Sequence, residues 1–141
     1  MELIKDLAII TNTHSKNGDL WEAHIGQVKK YMHQPHYFFT DSKPEKDLKV
    51  TVVTYSTEDK FRTQFLKCLE SVNEEFCLYL NEDYLLYESP DIDKLGEYVN
   101  VLKANDCLSF IRLAKGIDNF NIPYSSTLQY LDCRNPYFFS Q

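Results

Sequence analysis

Four short runs in this chain are apolar at nearly every position: Leu7–Ile10, Tyr37–Phe39, Val50–Val53 and Phe76–Leu80. A strand that shows one face to water alternates apolar and polar residues, so an uninterrupted run predicts a strand covered on both faces. Between the runs lie amphipathic stretches. Trp21, Ile25, Val28 and Met32 recur at helical spacing behind Asp19, a candidate cap; Phe61, Phe65, Leu69 and Val72 form a stripe behind a capping-box-like Ser56 and Asp59; Ile92, Leu95, Val99 and Leu102 follow Ser89-Pro90. Leu108–Leu113 reads as a fifth strand. Strands alternating with helices predict an α/β fold, a mostly parallel sheet with helices on both faces. One link strains the scheme. Ser42 to Lys49 is shorter than a parallel crossover usually needs. Either the second and third runs are not neighbours, or one of them is an edge piece.

The chain's 141 residues suit a single domain with a real core. Aromatics reach 14% with only four Gly, which favours a packed sheet-containing domain over disorder. A net charge of −6 argues against an extended nucleic-acid surface, which needs concentrated Lys and Arg. Cys68, Cys77, Cys107 and Cys133 form no C-x-x-C pair, and Cys77 and Cys107 sit in strand-like surroundings that predict buried thiols. No apolar run is long enough for a membrane span, and Met1–Asp6 lacks a signal-peptide layout, so a cytoplasmic setting is expected. From Asn121 onward the pattern suggests a strand, a turn and another strand. The stop on Phe138-Phe139-Ser140-Gln141 predicts an incomplete domain.

In open parallel sheets, ligands bind beyond the carboxyl ends of the strands. The polar groups expected there are Thr11, Asn12, Thr13, His14 and Ser15 after the first run, Asp41 after the second, and Tyr55 and Ser56 after the third. Asn81, Glu82 and Asp83 follow the fourth, and Lys115 the fifth. The acidic turn is the strongest signal, because isolated carboxylates at the rim of a core are expensive without a cation or donor. A divalent cation is commonly held by one or two carboxylates together with substrate phosphates. Ser15, His14 and Asp19 invite a hydrolytic reading, but no G-x-S-x-G elbow exposes a nucleophile. No G-x-G-x-x-G or G-x-x-x-x-G-K is present, and the end of the first run lacks the Asp that a phosphatase or receiver site needs.

An apolar strand running into Asn81-Glu82-Asp83, behind a helix carrying Arg62, resembles the core of GT-A-type glycosyltransferases, in particular the family-2-like donor-binding half. The resemblance covers about residues 6–115, leaving 116–141 as the start of an incomplete acceptor region. It implies binding of a nucleotide-diphosphate sugar through Mn or Mg, with transfer of the sugar to a hydroxyl of a carbohydrate or lipid-linked acceptor. By the same resemblance, Asp83 and Glu82 hold the metal, while Thr11, Asn12, Thr13, His14, Asp41, Arg62, Asn81 and Glu82 line the donor site. No catalytic residue is assigned. Two departures are plain: Asn81 stands where a D-x-D motif has its first acid, and Tyr84 where an E-D-D motif has its last. The Asn at position 81, with the short length and the abrupt end of the chain, favours an alternative, a non-catalytic α/β binding or interaction domain with a degenerate donor site.

Overall fold

The computed structural model describes residues 3–113 together with Tyr124, Ser125 and Leu128. The chain divides into two units, Met1–Leu108 and Ser109–Gln141. In the first, the elements run β1 (Leu7–Asn12), α1 (Gly18–Tyr31), β2 (His36–Thr40), β3 (Thr51–Thr54), α2 (Phe61–Leu69), β4 (Phe76–Leu80) and α3 (Ile92–Lys103). The four strands form one sheet in the order β3-β2-β1-β4, and all three pairings are parallel. The fold is therefore α/β, as the continuous apolar runs predict.

Strand register sorts the side chains between the two faces. Ile9 lies beside His36 and Leu78, and Thr11 beside Phe38 and Leu80. This set faces α1 and α3, through Val28, Met32 and Leu95 around Ile9, and through Trp21 and Ile25 against Phe38. Ala8, Ile10, Tyr37 and Phe39 face the opposite way and pack on Cys68, Phe65 and Leu69 of α2. Phe38 and Phe39 have no exposed surface. Truncating either to Ala would cost about 3–5 kcal/mol, from lost burial plus the cavity left behind.

The short link resolves as an edge arrangement. β2 and β3 are neighbours, β3 ends the sheet, and residues 41–50 connect them without a helix. In place of a helix, Leu48 and Val50 pack on Trp21, Ile25 and Phe38, and Lys29 Nζ donates to the Leu48 carbonyl at 2.7 Å.

Several local expectations need correction. α1 does not start on an Asp19 cap. A short 3₁₀ turn, Ser15–Asn17, precedes it, and His14 Nδ1 caps that turn by accepting from Lys16 N at 3.1 Å. Asp19 instead sits in the first turn of α1, where its charge suits the helix dipole. Ser56 and Asp59 form a turn rather than a capping box, and α2 begins at Phe61 after an extended Lys60. The Gln64 side chain closes that entry by donating to the Ser56 and Asp59 carbonyls at 2.9 and 2.8 Å. α3 is capped by Asp91, whose carboxylate accepts from Lys94 N, not by Ser89.

Leu108–Leu113 forms no strand. Leu108 is tied to the Asn105 carbonyl in a turn, and Phe110 and Leu113 are half exposed; a short apolar run has no strand preference that survives without a ladder partner. Cys77 is exposed, not buried, because alternate residues of the outer strand β4 face solvent; Cys107 is exposed as well. Cys68, in contrast, is in the core. Near the end of the chain, Tyr124 N and Ser125 N both donate to the Leu128 carbonyl in a turn. Lys115, Cys133 and the rest of the expected strand–turn–strand lie outside the described residues.

Candidate functional site at the carboxyl ends of β1 and β4

The chain lays β2 and β3 to one side of β1 and then returns to place β4 on the other. α1 leaves β1 over one face of the sheet, and α2 approaches β4 over the opposite face. The direction of winding reverses between β1 and β4, and in open α/β sheets the crevice at such a reversal is where ligands bind. The loops that meet there are residues 13–17 after β1 and 81–84 after β4.

The β1 loop is tightly held. Thr13 N donates to the Phe39 carbonyl at 2.9 Å, Thr13 Oγ1 accepts from Trp21 Nε1 at 3.0 Å, and the Thr13 carbonyl accepts from the Tyr55 hydroxyl at 2.6 Å. Asp41, just past β2, accepts from Ser15 N at 2.6 Å through Oδ1 and from Ser15 Oγ at 2.7 Å through Oδ2. His14 Nε2 lies 3.6 Å from the same Oδ2. Burial pushes the Asp41 carboxyl up, but the Ser15 side-chain and backbone donors outweigh it and hold the group below the usual carboxylate range. Burial, then the nearby Asp41, Cys68 and Glu82 charges, raise the Tyr55 phenol above its ordinary value. Asp41 and Glu82 therefore act on one hydroxyl from two different loops.

The acidic turn is anchored from α1. Tyr84 N donates to the Asn81 carbonyl at 3.1 Å, closing a turn over Glu82 and Asp83. Asn17 Nδ2 donates to Glu82 Oε1, so the residue that opens α1 holds the first carboxylate. Beneath the turn runs a buried polar chain. Thr11 Oγ1 lies 2.9 Å from both His24 Nε2 and His36 Nε2, and His24 Nδ1 lies 3.0 Å from the Tyr84 carbonyl.

The network assigns its own tautomers, because a carbonyl can only accept. His24 Nδ1–H donates to Tyr84, so His24 Nε2 accepts from the Thr11 hydroxyl. Thr11 in turn accepts from His36 Nε2–H, which leaves His36 Nδ1 as a bare acceptor. That atom is buried and has no partner. Burial, chiefly, lowers both imidazoles, and it takes His36 to about 4.

The expected site residues thus separate. Asn12, Thr13, His14, Asp41, Asn81 and Glu82 come together at the carboxyl ends, and Asp83 is exposed beside Glu82. Thr11 does not join them; it has no exposed surface, and its hydroxyl is taken up by the two histidines. Arg62 stands exposed in the first turn of α2. Asn17 and His24 complete the arrangement without having been singled out. Asn17 carried the signal of an amide directly before a helix. His24 carried that of a polar residue inside the Trp21, Ile25, Val28 stripe.

The cluster Ser15, His14 and Asp41 is not a hydrolytic triad. The Ser15 hydroxyl donates to Asp41 Oδ2 at 2.7 Å, and His14 Nδ1, 3.4 Å from that hydroxyl, already accepts from Lys16 N at 3.1 Å, so the imidazole is not the acceptor of the serine proton. Among the described residues, no group of three or more His, Cys, Asp or Glu side chains is placed to hold a metal ion. What the turn offers is two adjacent carboxylates, which fits a cation carried mainly by a ligand's phosphates and not a closed protein cage. No helix of the described residues is long and apolar enough to cross a membrane. Comparison with protein-family models, with curated proteins and with solved structures finds no match.

Proposed function

We propose that the crevice between β1 and β4 binds a nucleotide-diphosphate sugar, and that the chain is the donor-binding part of a GT-A-like glycosyltransferase. The observation that carries the reading is the Asn17–Glu82 link at the sheet's reversal point, which brings the acidic turn against the polar β1 loop. On this reading Glu82 and Asp83 hold Mn or Mg against the diphosphate, a cation that would offset charge on the departing nucleotide. Thr13, His14 and Asp41 contribute polar contacts to the nucleotide. Arg62 supplies a planar fork suited to phosphate. Thr11 acts from below, positioning the turn through His24. The acceptor would be a carbohydrate or lipid-linked hydroxyl.

Calorimetry with UDP and with GDP, with and without Mn, tests the proposal. Metal-dependent binding that Asp83→Ala abolishes is the expected result. Binding that is unchanged in Asp83→Ala rules out the metal role, and absence of binding for both nucleotides rules out the donor site.

A second reading has its own support. Both Asp41 oxygens are engaged by Ser15, and one Glu82 oxygen is engaged by Asn17. A site that already satisfies its own acids suits a binding or interaction domain whose donor site is degenerate. Nucleotide binding without metal dependence, and without turnover of any sugar donor, would favour it.

A further inference from the structure

Of the three histidines bonded around β1, only His14 is open to solvent: its side chain is 39% exposed, whereas His24 and His36 are buried. It can take up a proton without disturbing the core. Imidazole is the side chain that changes charge in the range of about pH 5 to 8.

The contacts at its ring fix what that proton does. Nδ1 accepts from Lys16 N at 3.1 Å, and an accepting ring nitrogen carries no hydrogen, so the neutral ring has its proton on Nε2. In that form the ring caps the 3₁₀ turn Ser15–Asn17, whose other tie is Asn17 N donating to the His14 carbonyl at 2.9 Å. Asn17 in turn holds Glu82. A second proton can enter only at Nδ1. Two N–H donors would then point at each other across a hydrogen-bond distance, and the cap is lost.

A place for the charged ring lies beside it. Ser15 Oγ is 3.4 Å from Nδ1 and has lone pairs to accept with, since its own hydrogen goes to Asp41 Oδ2. Nε2 lies 3.6 Å from that same Oδ2, and among the described residues Asp41 is the one acid within ion-pair reach of the ring. Lys16 is the positive residue of the turn, and Glu82 meets the loop from the far side, on Asn17.

We infer that His14 is a proton-operated latch on the β1 loop. Neutral, it holds the 3₁₀ turn and, through Asn17, the acidic turn after β4. Protonated, it leaves the Lys16 N–H for Ser15 Oγ and the Asp41 carboxylate, and the Asn17–Glu82 link slackens. Ser15 stays bonded to Asp41 in both forms, so the change is confined to the Lys16–Asn17 side of the loop. The latch needs no bound ligand and does not depend on the nucleotide reading.

NMR of the full chain across the imidazole range, from about pH 8 to about pH 5.5, tests the inference. It follows the His14 ring nitrogens, the Lys16 amide and the Asn17 side-chain amide, while the amides of buried Ile9 and Phe38 report any global unfolding. As Nδ1 gains its proton, the Lys16 amide is expected to shift with the same midpoint. Its protection from exchange, corrected for the intrinsic rate, should fall about fivefold, the worth of one hydrogen bond. The Asn17 Nδ2 signals should shift with it. In His14→Asn, whose side-chain oxygen caps without titrating, both responses should be flat. In His14→Ala, Lys16 should stay unprotected throughout. A Lys16 amide that holds its position and protection while Nδ1 titrates overturns the latch, as does a response that survives in His14→Asn. An Asn17 side chain that does not move with Lys16 overturns the link to the acidic turn.

Discussion

Thr11 is the residue on which the two loops depend. Its hydroxyl hydrogen-bonds two imidazoles from different elements, and through His24 it reaches the backbone of the turn that carries Glu82 and Asp83. Thr11→Val keeps the shape and removes the link, leaving a donor on His36 and an acceptor on His24 without partners. The cost should be about 3 kcal/mol in urea unfolding, since each orphaned buried polar group is worth ~1–3 kcal/mol. A change below about 0.5 kcal/mol would show that the chain is not stabilising.

The same histidines set a pH dependence. Both are lowered in the fold, so the unfolded chain takes up protons near 6.5 while native His36 does not until about 4. Stability is therefore full above 6.5 and is lost as pH falls from there towards about 4. At ~1.4 kcal/mol per pKa unit, His36 alone accounts for a loss on the order of 3 kcal/mol. Urea midpoints that stay level across that window would contradict the assignment of a neutral buried His36.

At the scale of elements, the loops are placed by what precedes and follows them. Asn17 both opens α1 and holds Glu82, so entry to the helix and position of the acidic turn are coupled. A double-mutant cycle on Asn17→Ala and Glu82→Ala should return a coupling of about 1 kcal/mol, and additive effects would remove the latch. The seven helices and strands of the described residues follow apolar periods in the sequence, but the expected two-sided cover holds only for β1 and β2; β3 and β4 carry no fully buried residue. The ends were less legible. Asp19, Ser56 and Ser89 are good capping types, yet Asn17, Lys60 and Asp91 occupy the boundaries of α1, α2 and α3, and of these only Asp91 caps with its side chain. The Leu108–Leu113 run shows the limit of periodicity without a partner strand.

For the whole molecule, composition and alternation indicated a parallel sheet, but the strand order could not be read. Nothing in the residues 41–50 announces that β3 flanks β2, or that β4 crosses back beside β1. That order is what turns scattered polar groups into one crevice. The candidate site was legible as far as loop membership: Thr13, His14, Asp41 and Glu82 all follow apolar runs. It was not legible at Thr11, whose place two residues beyond Ile9 on the helix-covered face makes it a core group. The His24–Thr11–His36 chain joins residues far apart in sequence and emerges only from the β1–β2 register and the docking of α1.

In the proposed function a nucleotide diphosphate with its cation sits between the β1 loop and the acidic turn. Paramagnetic broadening of amide signals by Mn, added with UDP or GDP, reads that position directly. Broadening is expected to centre on Glu82 and Asp83, to extend to Thr13 and His14, and to spare Lys49 to Thr51 at the other end of the sheet. Broadening that is uniform over the surface, or centred away from the 81–84 turn, would contradict it.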